Sequence, residues 1–579
     1  MPIFKNGTHH VSETGSPHLR VDIQHWSYLA EGGFHIILRY DGPEPDLRGR
    51  ILRIGKKSLV HALARLESLE FFKSSSARGQ VFKTNSIAGV STHELAAEGI
   101  GSLGQTIDGD LSSLPLSNNV GTESLLSPGL PVPRLQEAGL RSKFERAVLE
   151  PLLGAHYVQP GRSVTLSRED IQNIHKSIDN LRPTGRLRDE SGVWSTAAQL
   201  EPDKTGFWLD VPEDFLSSAG PSEDAGVIIA VEVKPKGSGM PVGALVPEGP
   251  NRLKYRVHRF DAQQRFKAQT KQSWGMIRRS TGYHPTDLFS GDSARASKAL
   301  KELLITPQNK FRAWENGRML FGAGSGKSKP EGLAIGTKLL DEAVVRADLD
   351  DQMGAPGQTL MDLVGAILTG EPLLHRMAEA QALDVLGVEG GGLVFDRLVA
   401  ISDSARYALD LLEKTEREPF KKMAVPEGLT LPKELLERLR AGPASTEMIE
   451  REFGEELKVH HENALQVVEN LKEEDCVQLI RRYIIGLGVM DCSVMLSLKA
   501  IGGGAEKLDE PSSAVAAKVV RTQTDGTSGV LVTPDGRQVA YCLSVVDAGP
   551  KPATKLAKKA DKENKIWDYV AKLGDDVFL

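Results

Sequence analysis

The chain has 579 residues, 40% hydrophobic and 26% charged, with a formal net charge of −6. That length and balance suit one large or two to three ordinary globular domains able to bury a core. They exclude a polycation as a whole, so anion binding must come from local clusters.

In chain order, residues 26–54 read as a three-stranded meander. HWSYLAEGGFHIILRY holds two short β-rich runs broken by Glu31-Gly32-Gly33, and a polar loop leads to RILRIGKK. A helix is expected at 58–72, where apolar residues fall at helical spacing. Residues 101–134 are rich in Gly, Ser, Pro and Asn with few charges, the composition of a mobile insertion. Two helical segments follow within 135–185, ending at Leu181-Arg182-Pro183. VIIAVEVKPK, at 227–236, is the clearest buried strand. SARASKALKELLI predicts a helix, and 340–480 is mostly helical by pattern. CSVMLSLKA, GVLVT and QVAYCLSVVD are late strands, and a last helix follows Pro552, a residue suited to a first helical turn. No run approaches the ~20 apolar residues of a membrane helix, and the N-terminus lacks an apolar signal core, so no membrane segment is expected. Cys476, Cys492 and Cys542 form no CxxC pair, which argues against a disulfide framework or a thiolate zinc site and for a reducing compartment.

Several motifs bear on chemistry. GAGSGKS at 322–328 has three residues between Gly322 and Gly326 where a phosphate loop needs four, and reads as a linker. The Glu31–Gly33 turn leaves its backbone open to approach by phosphates, and the third strand carries Arg53 in an apolar run. In VEVKPK, strand alternation puts Glu232, Lys234 and Lys236 on one face. Such a face meets an anion, or belongs to a solvated edge strand guarded by lysines. Pro235 marks the strand end or an edge. Asp491 directly precedes one late strand and Asp547 directly follows another. If those strands pair antiparallel, the two carboxylates converge, one to handle a hydroxyl proton and one to hold a metal ion. The alternative is a pair of ordinary turn aspartates. After Asp547, Lys555, Lys558, Lys559 and Lys562 share a helical face, with Lys551 one turn earlier. This suits a polyphosphate, a solvated surface helix, or a nucleic-acid patch, although the aromatic residues expected for single strands are missing.

Together these segments resemble the inositol-pentakisphosphate 2-kinases, in a fungal-like form. AEGGFHIIL with LRIGKK, VTLSRE leading to LRPTGR, VEVKPKGSG, YHPTDLFSG with TPQNKFR, MDCSVMLSL and VVDAGPKP occur in the family's order and cover roughly half of the chain. The resemblance implies an α+β, two-lobed kinase-like fold with antiparallel sheets in both lobes. The N-terminal lobe would span 1–150 with its insertion, and the C-terminal lobe 151–579 with a helical insertion at about 340–480. ATP would lie under the Glu31–Gly33 loop, and the product would be inositol hexakisphosphate, made by phosphorylation of the 2-hydroxyl of the pentakisphosphate. Carried over by motif, Asp491 is the catalytic aspartate and Asp547 the ligand of Mg2+. Glu31, Gly32, Gly33, Arg53 and Asn309 serve ATP, and Arg186, Lys234, Lys236, His258, Arg312, Lys551 and Lys555 serve substrate phosphates.

The chain departs from the pattern in places. Lys310 stands for a second asparagine, and Gly549 for a second acid after the metal aspartate. Ala262 occupies a position where a substrate lysine is expected, leaving Arg265 or Lys267 as substitutes. These departures keep a catalytically inactive inositol-phosphate sensor as the alternative function. The protein is expected to be intracellular, in nucleus or cytoplasm, and a monomer that binds no nucleic acid.

Overall fold

The computed structural model describes residues 19–31, 35–55, 142, 144–182, 194, 196–205, 226–270, 282–307, 310–322, 330–350, 355–401, 424–442, 445–501, 518–521, 528–533, 536–547, 549 and 556–574. All of these belong to one compact unit, Met1–Ser58 with Gln136–Leu579. The second unit, Leu59–Leu135, lies outside the described residues, as do the insertion at 101–134 and the helix expected at 58–72.

The meander forms as its sequence predicts. β1 (Trp26–Glu31), β2 (His35–Tyr40) and β3 (Arg50–Gly55) pair antiparallel in succession. Alternation along β2 buries Ile36, Leu38 and Tyr40 on one face. Two strands not foreseen, β4 (Arg162–Thr165) and β5 (Ala197–Pro202), complete a five-stranded sheet of order β1-β2-β3-β5-β4. The sheet therefore takes strands from beyond residue 150, and the expected lobe boundary runs through it. Helix α1 (Arg168–Ile178) lays Ile171, Ile174 and Ile178 into the core formed with Leu38, Leu52, Ile54 and Leu200. Ser167 opens it with a reciprocal cap: its hydroxyl accepts from the Asp170 N–H, and the Asp170 carboxylate accepts from the Ser167 N–H.

The second sheet has seven antiparallel strands in the order β10-β11-β12-β9-β6-β7-β8. They are β6 (Ile229–Val233), β7 (Phe311–Glu315), β8 (Arg318–Gly322), β9 (Ser493–Ile501), β10 (Lys518–Arg521), β11 (Ser528–Val532) and β12 (Gln538–Val546). β6 is buried at every position and lies between β9 and β7. It is a central strand, so the edge-strand alternative for VEVKPK does not hold. Its pairing stops two residues before Pro235, which has no N–H for the ladder. β7 and β8 form an unforeseen hairpin whose turn residues, Asn316 and Gly317, both have positive φ, as a two-residue turn of this kind requires. Gly322, the first residue of the GAGSGKS segment, ends β8, and 323–329 lie outside the described residues.

Helices fill the remainder: α2 (Arg259–Thr270), α3 (Ser293–Ile305), α4 (Pro330–Arg346), α5 (Pro356–Gly370), α6 (Leu373–Gln381), α7 (Gly387–Ile401), α8 (Lys433–Ala441), α9 (Thr446–Asn470), α10 (Glu473–Met490) and α11 (Leu556–Ala571). The molecule is thus mixed α+β with two antiparallel sheets, in keeping with a two-lobed kinase-like fold. The described residues of 340–480 are mostly helical, as their periodicity predicts. Its last helix, α10, packs on α6 and α7 and delivers the chain directly to Asp491. No helix of the described residues is long and apolar enough to cross a membrane.

Candidate active site at one edge of the seven-stranded sheet

Strand register decides which side chains meet. Val546 pairs with Ser493, Val233 with Val494, and Val233 with Phe311. Because neighbours run antiparallel, the ends of β12 and β6 lie at the same edge as the starts of β9 and β7. Asp547, Lys234, Lys236, Asp491 and Lys310 therefore gather there, although up to 313 residues separate two that touch. The two aspartates expected to converge do sit at the ends of paired neighbours.

Two backbone features aim these side chains. Asp547 has φ 59, a left-handed conformation that Asp tolerates better than most residues, and it turns the chain away from β12. Lys236 has φ 68. The strand has ended by then, so Lys236 does not share an alternating face with Glu232 and Lys234, contrary to the reading of VEVKPK as one continuous strand. The turn instead brings its ammonium to 3.0 Å from Asp491 Oδ1. Gln381 holds the turn by donating from Nε2 to the Lys236 carbonyl and accepting the Ser238 N–H on Oε1.

The edge alternates acids and bases. Lys234 Nζ lies 3.3 Å from Asp547 Oδ2, and Arg53 Nη1 lies 3.4 Å from Asp547 Oδ1. Arg53 reaches across from β3, where Glu201 of β5 also pairs with it at 3.0 Å. Glu232 accepts from Ser493 Oγ at 2.6 Å and from Arg312 Nη1 at 3.0 Å. Asp491 and Asp547 keep 50% and 45% of their side-chain surface exposed, so both remain reachable by a ligand. Burial pulls the Lys234 ammonium down, but the carboxylates of Asp547, Glu232 and Asp491 outweigh it and leave its pKa raised. His258, beside Gly237, is driven down by burial, which favours its neutral form. Lys310 is pushed down to about 6 by burial, then by Lys267 and Lys236.

Arg53, Lys234, Lys236, His258, Arg312, Asp491 and Asp547 thus belong to one region. Glu31 behaves differently from the expectation that its side chain serves a nucleotide. Its carboxylate takes a two-pronged contact from Arg182, at 3.0 and 3.1 Å, with both side chains fully buried. What Glu31 has left to offer a nucleotide is its backbone. Gly32, Gly33, Arg186, Asn309, Lys551 and Lys555 lie outside the described residues. Sequence reasoning missed Glu201, although Gln199 and Glu201 alternate with Ala198 and Leu200, a period-two signal of a strand.

A family model described as inositol-pentakisphosphate 2-kinase matches residues 28–565. The inositol-pentakisphosphate 2-kinase of Arabidopsis thaliana is 27% identical over 372 residues, which is 64% of this chain and 68% of that one. The enzyme of the same name from Danio rerio is 30% identical over 178 residues, 31% of this chain and 33% of the relative. The one from Cryptococcus neoformans var. neoformans serotype D, a fungus, is 25% identical over 301 residues, 52% and 51% of the two chains.

Proposed function

The chain belongs to the inositol-pentakisphosphate 2-kinase family, and on that premise we propose that it transfers the γ-phosphoryl group of ATP to the 2-hydroxyl of inositol 1,3,4,5,6-pentakisphosphate, giving inositol hexakisphosphate. The observation that carries this reading is the meeting of Asp491 and Asp547 at one sheet edge, among cations that flank them.

Phosphoryl transfer asks mainly for positioning and charge neutralisation. The acceptor carries a charge on the order of −8 or more, since each phosphate bears ~1.5 to 2 charges. Lys234, Lys236 and Arg312, grouped at this edge, would neutralise its phosphates, and Arg312 offers the planar fork suited to phosphate oxygens. His258 adds a neutral donor. Arg186, Lys551 and Lys555 extend this set by motif. Asp491 is the group that accepts the hydroxyl proton, and Lys236 holds its carboxylate in place. Arg53, braced by Glu201, serves the ATP phosphates together with Asn309 and the Glu31–Gly33 backbone.

ATP-dependent transfer implies Mg2+. Among the described residues no cluster of three or more His, Cys, Asp or Glu could cage a metal, and Gly549 replaces a second acid. Mg2+ is commonly held by one or two carboxylates plus substrate phosphates, with waters retained, so Asp547 fits an ion that arrives on the nucleotide. When bound, the ion would be held by Asp547 and would offset the charge of the transferring phosphates.

The inactive-sensor alternative gains nothing from this edge, where both carboxylates are present and accessible. Only three cysteines, all buried, support an intracellular setting, nuclear or cytoplasmic, for a protein we take as a monomer. The test is transfer of label from radiolabelled ATP to pentakisphosphate. Asp491→Ala should lower turnover by roughly 10²- to 10⁴-fold, the usual worth of a general base, with the melting temperature unchanged. Near-normal turnover in that variant removes Asp491 from its role. Absence of transfer by the wild type, with pentakisphosphate still bound, would favour the sensor.

A further inference from the structure

Arg39 has no part in the site described so far, yet it joins the two sheets. It pairs with Ile51 across β2 and β3, and Ile37, two residues before it, pairs with Arg53. Ile51 in turn lies opposite Glu201 of β5. Opposed residues and alternate residues share a face, so Arg39, Arg53 and Glu201 project from one side of the five-stranded sheet, away from Ile36, Leu38 and Tyr40. That side meets the seven-stranded sheet at two places. Arg53 reaches Asp547 at the candidate active edge. Arg39 Nη2 donates to the Gly317 carbonyl at 2.7 Å, in the β7–β8 turn. β7 starts at the active edge, so its length sets that turn about 15 Å further along the strand direction. Two contacts so far apart fix the angle between the sheets as well as their separation.

Arg39 also grips a short crossing segment. After β5 ends at Pro202, Asp203, Lys204 and Thr205 touch both sheets. The Asp203 N–H donates to the Gly49 carbonyl, just before β3, at 2.8 Å. The Lys204 carbonyl accepts from Ser497 Oγ of β9 at 2.9 Å, and Lys204 Nζ lies 3.5 Å from the carbonyl of Val545, two residues before Asp547. Arg39 Nε donates to Asp203 Oδ2 at 2.6 Å, and its Nη2 to Thr205 Oγ1 at 3.0 Å. Asp203 is buried and completes the node, accepting the N–H and the hydroxyl of Thr205 on Oδ1. The β7–β8 turn is fixed in its own right, because Asn316 and Ile228 exchange two hydrogen bonds. One planar guanidinium thus spans three held acceptors, on the crossing and on the turn, which a compact ammonium does not match. Gly317, at φ 79, leaves room for it: a Cβ there would overlap the guanidinium.

We propose that Arg39 is a positioning residue for phosphoryl transfer. By fastening the five-stranded sheet to the 203–205 crossing and to the β7–β8 turn, it holds Arg53, and the ATP phosphates that Arg53 serves, in register with Asp547. The inference rests on the kinase reading given under Proposed function. Glu201 braces Arg53 from within its own sheet, so it does not set Arg53 against a residue of the other sheet. Arg39 does. The acceptor cations Lys234, Lys236 and Arg312 all belong to the seven-stranded sheet or its edge, so loosening Arg39 leaves them in place and spoils transfer rather than acceptor binding. A displacement of about 1 Å at the reacting groups costs on the order of 10²-fold in rate.

Turnover of radiolabelled ATP, calorimetry of pentakisphosphate binding and thermal melting test this on the full chain. Arg39→Lys keeps a charge for Asp203 but loses the fork, and Gly317→Ala drives the guanidinium off the turn. Each should lower kcat by about 10- to 100-fold, with acceptor affinity within about twofold of wild type. A residue that only stabilised the fold would lower the melting temperature and leave kcat unchanged well below it. The decisive readout is a cycle with Arg53→Met. Because Arg39 acts through Arg53, Arg39→Lys should cost less than about threefold more in that background. A full further loss in the Arg53→Met background, or wild-type kcat in both single variants, overturns the proposal, and label transfer by the wild type then leaves the kinase reading standing. Wild-type protein that binds pentakisphosphate but transfers no label would remove both.

Discussion

Arg53 and Lys310 are two buried basic side chains. Arg53 sits between the carboxylates of Glu201 and Asp547, so its desolvation is offset by two opposite charges. Burial first, and then the charges of Lys267 and Lys236, bring the Lys310 ammonium from its ordinary 10.5 down to about 6. Between those two values the unfolded chain holds a proton that the folded chain does not, so the stability attached to this residue rises with pH. The penalty is complete below about pH 6 and gone above about pH 10.5. Lys310→Met should therefore stabilise the ligand-free protein, by on the order of 1–4 kcal/mol near neutral pH, as when buried charges give way to apolar residues. The gain should shrink as pH rises towards 10. Urea unfolding at a series of pH values reads it, and an equal gain at all pH values would show that the residue is charged in the folded protein throughout.

At the scale of elements, the buried pair of Glu31 and Arg182 ties the end of β1 to the segment that follows α1. Trp194 adds a ring 5.5 Å from the guanidinium. Removing one member of such a pair leaves an uncompensated buried charge, so Arg182→Met should cost about 3–5 kcal/mol. The double variant Glu31→Leu with Arg182→Met should recover a good part of that loss in the urea midpoint. A double variant as unstable as the single one would mean that the stranded carboxylate is not what costs. Strands of this fold differ in how plainly they can be read from sequence. β6, β9 and β12 are long apolar runs, buried nearly throughout, and hydrophobic pattern finds them. β4 and β10 are four residues each, too short for periodicity, and β5 carries Gln199 and Glu201 in the interior. The β7–β8 hairpin has its signal in Asn316-Gly317, but Arg312 and Arg318 flanking so few apolar residues obscure the strands. Helices at 340–480 are legible because their apolar spacing persists over many turns.

Across the whole molecule, the candidate site is legible only as fragments, because register brings it together. Nothing in local sequence states that β6 lies between β9 and β7, yet that order sets Lys236 on Asp491 and Lys310 beside Lys234. The two aspartates could be foreseen because each adjoins a clear strand, whereas Glu201 comes from a strand that no motif marks. The same contrast between local and global governs binding. The chain carries a net charge of −6, while Arg53, Lys234, Lys236 and Arg312 crowd one edge. An acceptor with a charge on the order of −8 is thus repelled by the net field at long range and held by close contacts once it arrives. Salt shortens the Debye length from ~10 Å at 0.1 M to ~3 Å at 1 M, which screens the distant repulsion first and then weakens the exposed contacts. Raising salt from about 0.05 to 0.5 M should therefore lower pentakisphosphate affinity mainly through faster dissociation, by roughly tenfold or more, with an association rate that changes little. Stopped-flow measurement of both rates separates the cases. A steep fall in the association rate would mean that the cationic edge steers the acceptor from a distance, despite the charge of the whole chain.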